Sequence, residues 1–230
     1  MSSSLRRLIP SLITLASLLC GFTAAVLSGH QELALAGVCI IAGYFFDGAD
    51  GEAARRLGVC SAFGLQLDSL VDAVTFGVAP ALLVYQHLLA LGSPPWAAWM
   101  VCAGYVMGGI VRLARFNLLP IKTARSDSVG LTISTAGATL ALSVLANVTH
   151  GRRVLPATGF VALATVLACL MVSRIRYPAL ATLLRRRGLS AALLGTAALL
   201  AMRLPAALVG LALTGGYISF GLLRAVHEMI

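Results

Sequence analysis

Eight stretches of this chain, roughly residues 8–28, 33–54, 63–90, 96–118, 130–148, 154–173, 188–202 and 205–223, are apolar almost without interruption. A helix rising 1.5 Å per residue needs about 20 residues to cross a hydrocarbon core about 30 Å thick, and most of these runs reach that length. The seventh is short and the third is long. The runs are continuous rather than alternating, so they read as helices, which satisfy their own backbone in lipid, and not as barrel strands. Composition agrees: 59% of residues are hydrophobic and 11% are charged, where a soluble domain carries about 25% charged residues. The expectation is an all-α, polytopic membrane bundle of about eight transmembrane helices, a single domain over residues 1–230.

Orientation follows from the basic residues. With the N-terminus inside, eight spans put Arg6, Arg7, Arg55, Arg56, Lys122, Arg125, Arg174, Arg176, Arg185, Arg186, Arg187 and Arg224 on the cytoplasmic side, against Arg152, Arg153 and Arg203 outside. Both termini are then cytoplasmic, in the cell membrane. The net charge of +9 fits this orientation and contact with anionic membrane lipids. No basic module with interleaved aromatics stands outside the spans, so nucleic acid is not expected as a partner. Arg6 and Arg7 before an apolar run resemble a secretory signal, but the run is near full span length and more spans follow, so it reads as the first helix.

The five cysteines, Cys20, Cys39, Cys60, Cys102 and Cys169, lack metal-ligand spacing and read as small apolar packing residues. His30, His87, His150 and His227 fall near helix ends and read as interfacial. Gly104 and Gly108 form a small-xxx-small pair, suited to close packing within the bundle or across a dimer.

Against this apolar background, Asp47, Asp50, Asp68 and Asp72 lie at the edges of the second and third spans, where isolated carboxylates are expensive and call for a functional reason. Positions three and four apart share a helix face, so Asp47 and Asp50 point one way at the end of span two, and Asp68 and Asp72 one way at the start of span three. Antiparallel helices joined by a short connection bring the two faces together on the cytoplasmic side. At separations of about 6 Å each pair repels by about 3 kcal/mol at an effective dielectric near 20, and the six pairs together by about 17 kcal/mol. Protons or cations must relieve that charge. Hard oxygen donors favour Mg²⁺ or Mn²⁺, and two divalent ions would cancel four carboxylates.

Two metals held by carboxylates suit displacement at phosphorus. Gly51, Ala54 and Gly64 leave the facing walls open to a phosphate or nucleotide, and Arg55, one turn beyond Asp50, is placed to hold a phosphate oxygen or to pair with an aspartate. An ion-pair network joining two helices would need more bases than the local Arg55 or Arg56. A cation transporter would carry such acids nearer the midplane and often in a second, inverted copy, which this chain lacks.

Asp47, Asp50, Gly51, Ala54, Arg55, Gly64, Asp68 and Asp72 together resemble the signature of the CDP-alcohol phosphotransferase family, D-x2-D-G-x2-A-R-x8-G-x3-D-x3-D, at each fixed position. The resemblance implies transfer of a phosphatidyl group from a CDP-linked lipid to an alcohol, with release of CMP. It further implies that Asp47, Asp50, Asp68 and Asp72 are metal ligands, and that Asp72 is also the catalytic base on the acceptor hydroxyl. Asp50, Gly51, Ala54, Arg55, Gly64 and Asp68 would line the CDP site. A homodimer is implied as well.

Flanking residues are similar to the multi-span phosphatidylserine synthases within that family: Leu19-Cys20-Gly21-Phe22, Phe76-Gly77-Val78-Ala79-Pro80, Arg112-Leu113-Ala114-Arg115-Phe116-Asn117 and Ser173-Arg174-Ile175-Arg176-Tyr177-Pro178. The chain departs from the subgroup at Ser11, where asparagine is usual, and at Thr132, where Gly130-Leu131 is usually followed by proline. The resemblance points to CDP-diacylglycerol, or an archaeal CDP-lipid, as donor and L-serine as acceptor, with glycerol 3-phosphate or inositol phosphate as alternative acceptors. A serine carboxylate needs a cation, for which Arg112 and Arg115 are placed near the end of span four, with Asn117 available for a hydrogen bond.

Overall fold

Where the surroundings offer no hydrogen-bond partner, a chain this apolar folds as helices, and the computed structural model, which describes residues 3–118, 128–149, 154–177 and 206–227, is built almost entirely of them. In chain order they are α1 (Ser3–Gly29), α2 (Leu33–Leu57), α3 (Ala62–Asp72), a π-helical segment (Ala73–Val78), α4 (Ala79–Ala90), α5 (Pro95–Asn117), α6 (Ile133–Thr149), α7 (Ala157–Val172) and α8 (Ala206–His227). Four stretches are long and apolar enough to cross a membrane: Leu8–Gly29, Leu33–Leu57, Ala62–Ala90 and Pro95–Asn117. Ile133–Thr149, Ala157–Val172 and Ala207–Leu223 are shorter apolar helices at the places expected for three further spans. The span expected at 188–202 lies outside the described residues, as do Lys122, Arg125 and Pro178.

Apolar side chains cover the outside of the bundle as well as its core. Phe22, Phe45 and Met107 are each more than half exposed, and Trp96 and Trp99 stand exposed at the start of α5, the pattern of a lipid-facing surface with an aromatic edge. Inside, Ile40, Phe76, Tyr105, Leu140, Phe160 and Met171 are fully buried. α2 packs against α1 and α6, α5 against α7, and α8 against α6.

The π-helical segment sits at the centre of these contacts and touches α1, α2, α5 and α6. Pro80 explains part of its form. Proline has no N–H to offer the carbonyl four residues back, Phe76, and the Tyr105 hydroxyl from α5 donates to that oxygen instead, at 2.9 Å. Thr75 donates to the Ser17 carbonyl of α1 at 3.2 Å, while Ser17 donates to the Gly43 carbonyl of α2 at 3.1 Å. Glycine is needed at both contacts: a Cβ at Gly21 would stand 2.5 Å from Thr75 Oγ1, and one at Gly43 2.8 Å from Thr75 Cγ2. Close backbone approach thus fixes the π-helical segment, and Asp72 immediately before it, against α1 and α2.

One element falls outside the all-helical expectation. Strand β1 (Ser128–Val129) pairs antiparallel with β2 (Arg176–Tyr177), and the Gly130 N–H extends the ladder to the Ile175 carbonyl at 2.8 Å. Gly130 has φ +77°, and a Cβ there would lie 2.4 Å from the Met171 carbonyl oxygen, so the turn into α6 requires glycine. At the opposite end, Asn147 bonds both the N–H and the carbonyl of Leu155, at 2.9 and 2.8 Å, and fixes the connection from α6 to α7. His87 meets Asn147 at 3.2 Å and packs edge-on to Phe160, so it is buried rather than interfacial. Gly108 packs within the bundle, against Ala168 of α7, whereas nothing lies within 4 Å of a Cβ built at Gly104.

Candidate active site

The aspartate site is made by a tight reversal between α2 and α3. Gly58 ends α2 in the left-handed conformation, φ +64°, and Ser61 caps α3 by accepting the Gly64 N–H at 3.1 Å. The short connection makes the two helices neighbours and brings the end of one beside the start of the other. One oxygen each from Asp47, Asp50 and Asp68 lies within 4.8 Å of the other two. Asp72, on the same face of α3 as Asp68, faces Asp47. The four aspartates paired by spacing in the sequence are therefore gathered in one place.

Burial sharpens the charge problem. Asp50 and Asp72 are 5% and 9% exposed, and Asp50 Oδ2 and Asp72 Oδ1 have no hydrogen-bond partner among the described residues. A buried carboxylate oxygen left in this state is costly unless something outside the protein meets it. At separations of 4.8 Å or less, ionised carboxylates repel by about 3 kcal/mol or more per pair at an effective dielectric near 20. The donor set is all oxygen, without the sulfur or imidazole that would favour zinc, and ligand oxygens around Mg²⁺ lie about 3 Å apart when adjacent and about 4.2 Å apart when opposed. A small contraction of the cluster suits a hard divalent cation, so the residues fit such an ion.

The counter-charge comes from another helix. Arg112, only 7% exposed on α5, faces Asp72 and Asp47, with its guanidinium 5.7 Å from the centre of the Phe116 ring. Arg55 and Arg56, the local bases of the sequence, instead pair with Glu52, at 3.1 and 2.6 Å. Arg115 donates to the Val172 and Ser173 carbonyls at 2.8 and 3.3 Å and ties α5 to the end of α7. Asn117 accepts a hydrogen bond from Ser69, on α3 between Asp68 and Asp72, at 3.1 Å. Ala54 and Gly64 are half-buried, and Gly51 lies beneath the Arg55 guanidinium.

Three side chains join the site without having been singled out from the sequence. Thr14 on α1 lies beside the Asp50 carboxylate, its hydroxyl donating to the Pro10 carbonyl at 3.0 Å. Ser69 links α3 to α5, and Glu52 holds two arginines at the rim. Glu52 alone was legible, since acids three and four residues before a base on one helix pair with it. Thr14 and Ser69 carry no such local sign.

Residues 7–173 match the family described as CDP-alcohol phosphatidyltransferase. The protein named CDP-diacylglycerol--serine O-phosphatidyltransferase in Helicobacter pylori is 34% identical over 173 residues, 74% of this chain and 72% of that protein. The Bacillus subtilis protein of the same name is 35% identical over 170 residues, 74% of this chain and 89% of its own length. In Methanocaldococcus jannaschii the protein so named is 34% identical over 171 residues, covering 72% of this chain and 71% of that protein.

Proposed function

The chain belongs to the CDP-alcohol phosphatidyltransferase family, and on that premise we propose that it transfers the phosphatidyl group of CDP-diacylglycerol to the hydroxyl of L-serine and releases CMP. The observation that carries this reading is the meeting of Asp47, Asp50 and Asp68 within 4.8 Å, with Asp72 beside them on the same helical reversal. Relatives named for that reaction, at 34–35% identity over about three quarters of the chain, support the donor and the acceptor.

Asp47, Asp50, Asp68 and Asp72 would hold two divalent cations, Mg²⁺ or Mn²⁺. Bound there, the ions supply charge neutralisation along the diphosphate. Gly51, Ala54 and Gly64 keep the walls of the reversal low enough for the nucleotide, and Arg55 meets a phosphate oxygen. Asp72 takes the proton from the acceptor hydroxyl as that oxygen bonds to the lipid-bearing phosphorus and the bond from phosphorus to the CMP oxygen breaks. Arg112, on the α5 face that meets Asp72, holds the serine carboxylate as a bidentate partner. Arg115 and Asn117 frame it, through the end of α7 and through Ser69. In this reading the whole chain is one membrane domain, and the site opens to the cytoplasm.

The test is CMP release by the detergent-purified protein from CDP-diacylglycerol with Mn²⁺, in parallel with L-serine, glycerol 3-phosphate, inositol phosphate and no acceptor. The expected result is release that needs both serine and metal and stops when the metal is chelated. Release with another alcohol would keep the site and move the acceptor. No release with any of them would overturn the phosphotransfer reading.

A further inference from the structure

The Arg55 guanidinium does not hang freely at the rim of the site. Its Nε and Nη2 both donate to Glu52 Oε2, at 3.3 and 3.1 Å, while Arg56 Nε donates to Glu52 Oε1 at 2.6 Å. The remaining nitrogen, Nη1, has no hydrogen bond among the described residues and lies over Gly51, where a Cβ would stand 3.3 Å from it. Gly51 directly follows the buried Asp50. One carboxylate therefore occupies the Nε and Nη2 edge of the guanidinium and leaves Nη1 over the glycine that follows Asp50.

We propose that Glu52 is a positioning residue that presents Arg55 to the diphosphate of the CDP-linked donor, an inference that rests on the nucleotide site described above. Glu52 fills a position where the aspartate signature, D-x2-D-G-x2-A-R, specifies no residue. An opposite effect competes, because a carboxylate at the rim also repels an incoming diphosphate. Exposure decides between them. The Glu52 and Arg55 side chains are 47% and 44% exposed, so salt reaches both effects, and it screens the longer-range repulsion of a diphosphate more than the clamp's contact at 3.1 Å. Loss of the clamp frees a long side chain that must be ordered again each time the donor binds, and salt does not relieve that cost.

The experiment compares full-length wild type, Glu52→Gln, Glu52→Asp, Arg55→Ala and the double variant Glu52→Gln/Arg55→Ala in detergent. It measures the Kd for CDP with Mn²⁺, and the KM and kcat for CDP-diacylglycerol, at low salt and at about 0.3 M salt. Glu52→Gln is expected to raise Kd and KM about fivefold at low salt and by less at the higher salt, where the exposed clamp is itself weakened, with kcat within about twofold of wild type. Glu52→Asp, which keeps the charge, recovers at least half of the loss. In the Arg55→Ala background Glu52→Gln adds nothing, because the two residues act as one unit. Unchanged or tighter CDP binding in Glu52→Gln, or an equal loss with and without Arg55, would overturn the clamp. Wild type that binds CDP but turns over no CDP-lipid would bring down the functional reading instead, and the CDP affinities would still decide the role of Glu52.

Discussion

At the scale of single residues, the four aspartates divide into roles by what each one meets. Asp47, Asp50 and Asp68 face one another across the reversal, whereas Asp72 meets Asp47 on one side and Arg112 on the other. Arg112 faces Asp47 as well, and of the two aspartates it meets, Asp72 is the proposed base. Asp72→Asn keeps the shape and removes the base, so turnover is expected to fall by about 10³-fold while CDP binding with Mn²⁺ stays within a fewfold of wild type. Near-normal turnover in that variant would remove Asp72 from the chemistry. Arg112→Lys keeps the charge beside Asp72 and loses the planar fork, so the serine KM should rise on the order of tenfold with little change in the CDP-lipid KM. An equal rise for both substrates would mean that Arg112 serves the site as a whole. The aspartates were legible in the sequence because their cost in an apolar stretch and their spacing on a helix are both local. The Arg112 partnership was not, since it depends on how α5 packs across α3.

At the scale of elements, catalytic geometry depends on the π-helical segment that follows Asp72. From the sequence the third span reads only as long, and the π-helical segment within it is not anticipated. Nothing local specified that Tyr105 would supply the missing donor to Phe76, or that Gly21 and Gly43 would seat Thr75. The β1–β2 ladder was equally hidden, because two-residue strands have no periodicity to read. The seating of Thr75 gives a direct test. In Gly43→Ala the new methyl lies 2.8 Å from Thr75 Cγ2, so α2 must move away from the π-helical segment and carry Asp47 away from Asp72. Turnover is expected to drop at least about tenfold, in keeping with the steep cost of misplacing catalytic groups by about 1 Å. Thr75→Ser removes that methyl and keeps the hydroxyl that donates to Ser17, so the double variant should recover most of the activity. A double variant no better than Gly43→Ala would show that the contact with Thr75 is not what holds the two aspartates in register.

At the scale of the whole molecule, the elements near the site extend past the segment that the family match covers. The family match covers residues 7–173 and so takes in α1 to α7, while α8 lies beyond it, packs on α6 and brings Tyr217 close to Arg112. Four spans were legible at full length because long apolar runs leave the backbone no alternative to helix. Three more came out as shorter apolar helices among the described residues. Orientation rests on a different physical signal, the excess of arginine assigned to one side, and it predicts that the aspartate reversal faces the cytoplasm. Cys60 reports on this directly, for it lies exposed between Gly58 and Ser61 in the reversal itself. With Cys20, Cys39, Cys102 and Cys169 replaced by alanine or serine, a membrane-impermeant maleimide should leave Cys60 unlabelled in intact cells and label it in inside-out vesicles. CDP with Mn²⁺ should then slow the labelling, because the nucleotide would lie across the same reversal. Labelling in intact cells would invert the topology and place the donor's diphosphate on the outer face, where a cytosolic CDP-lipid could not reach it.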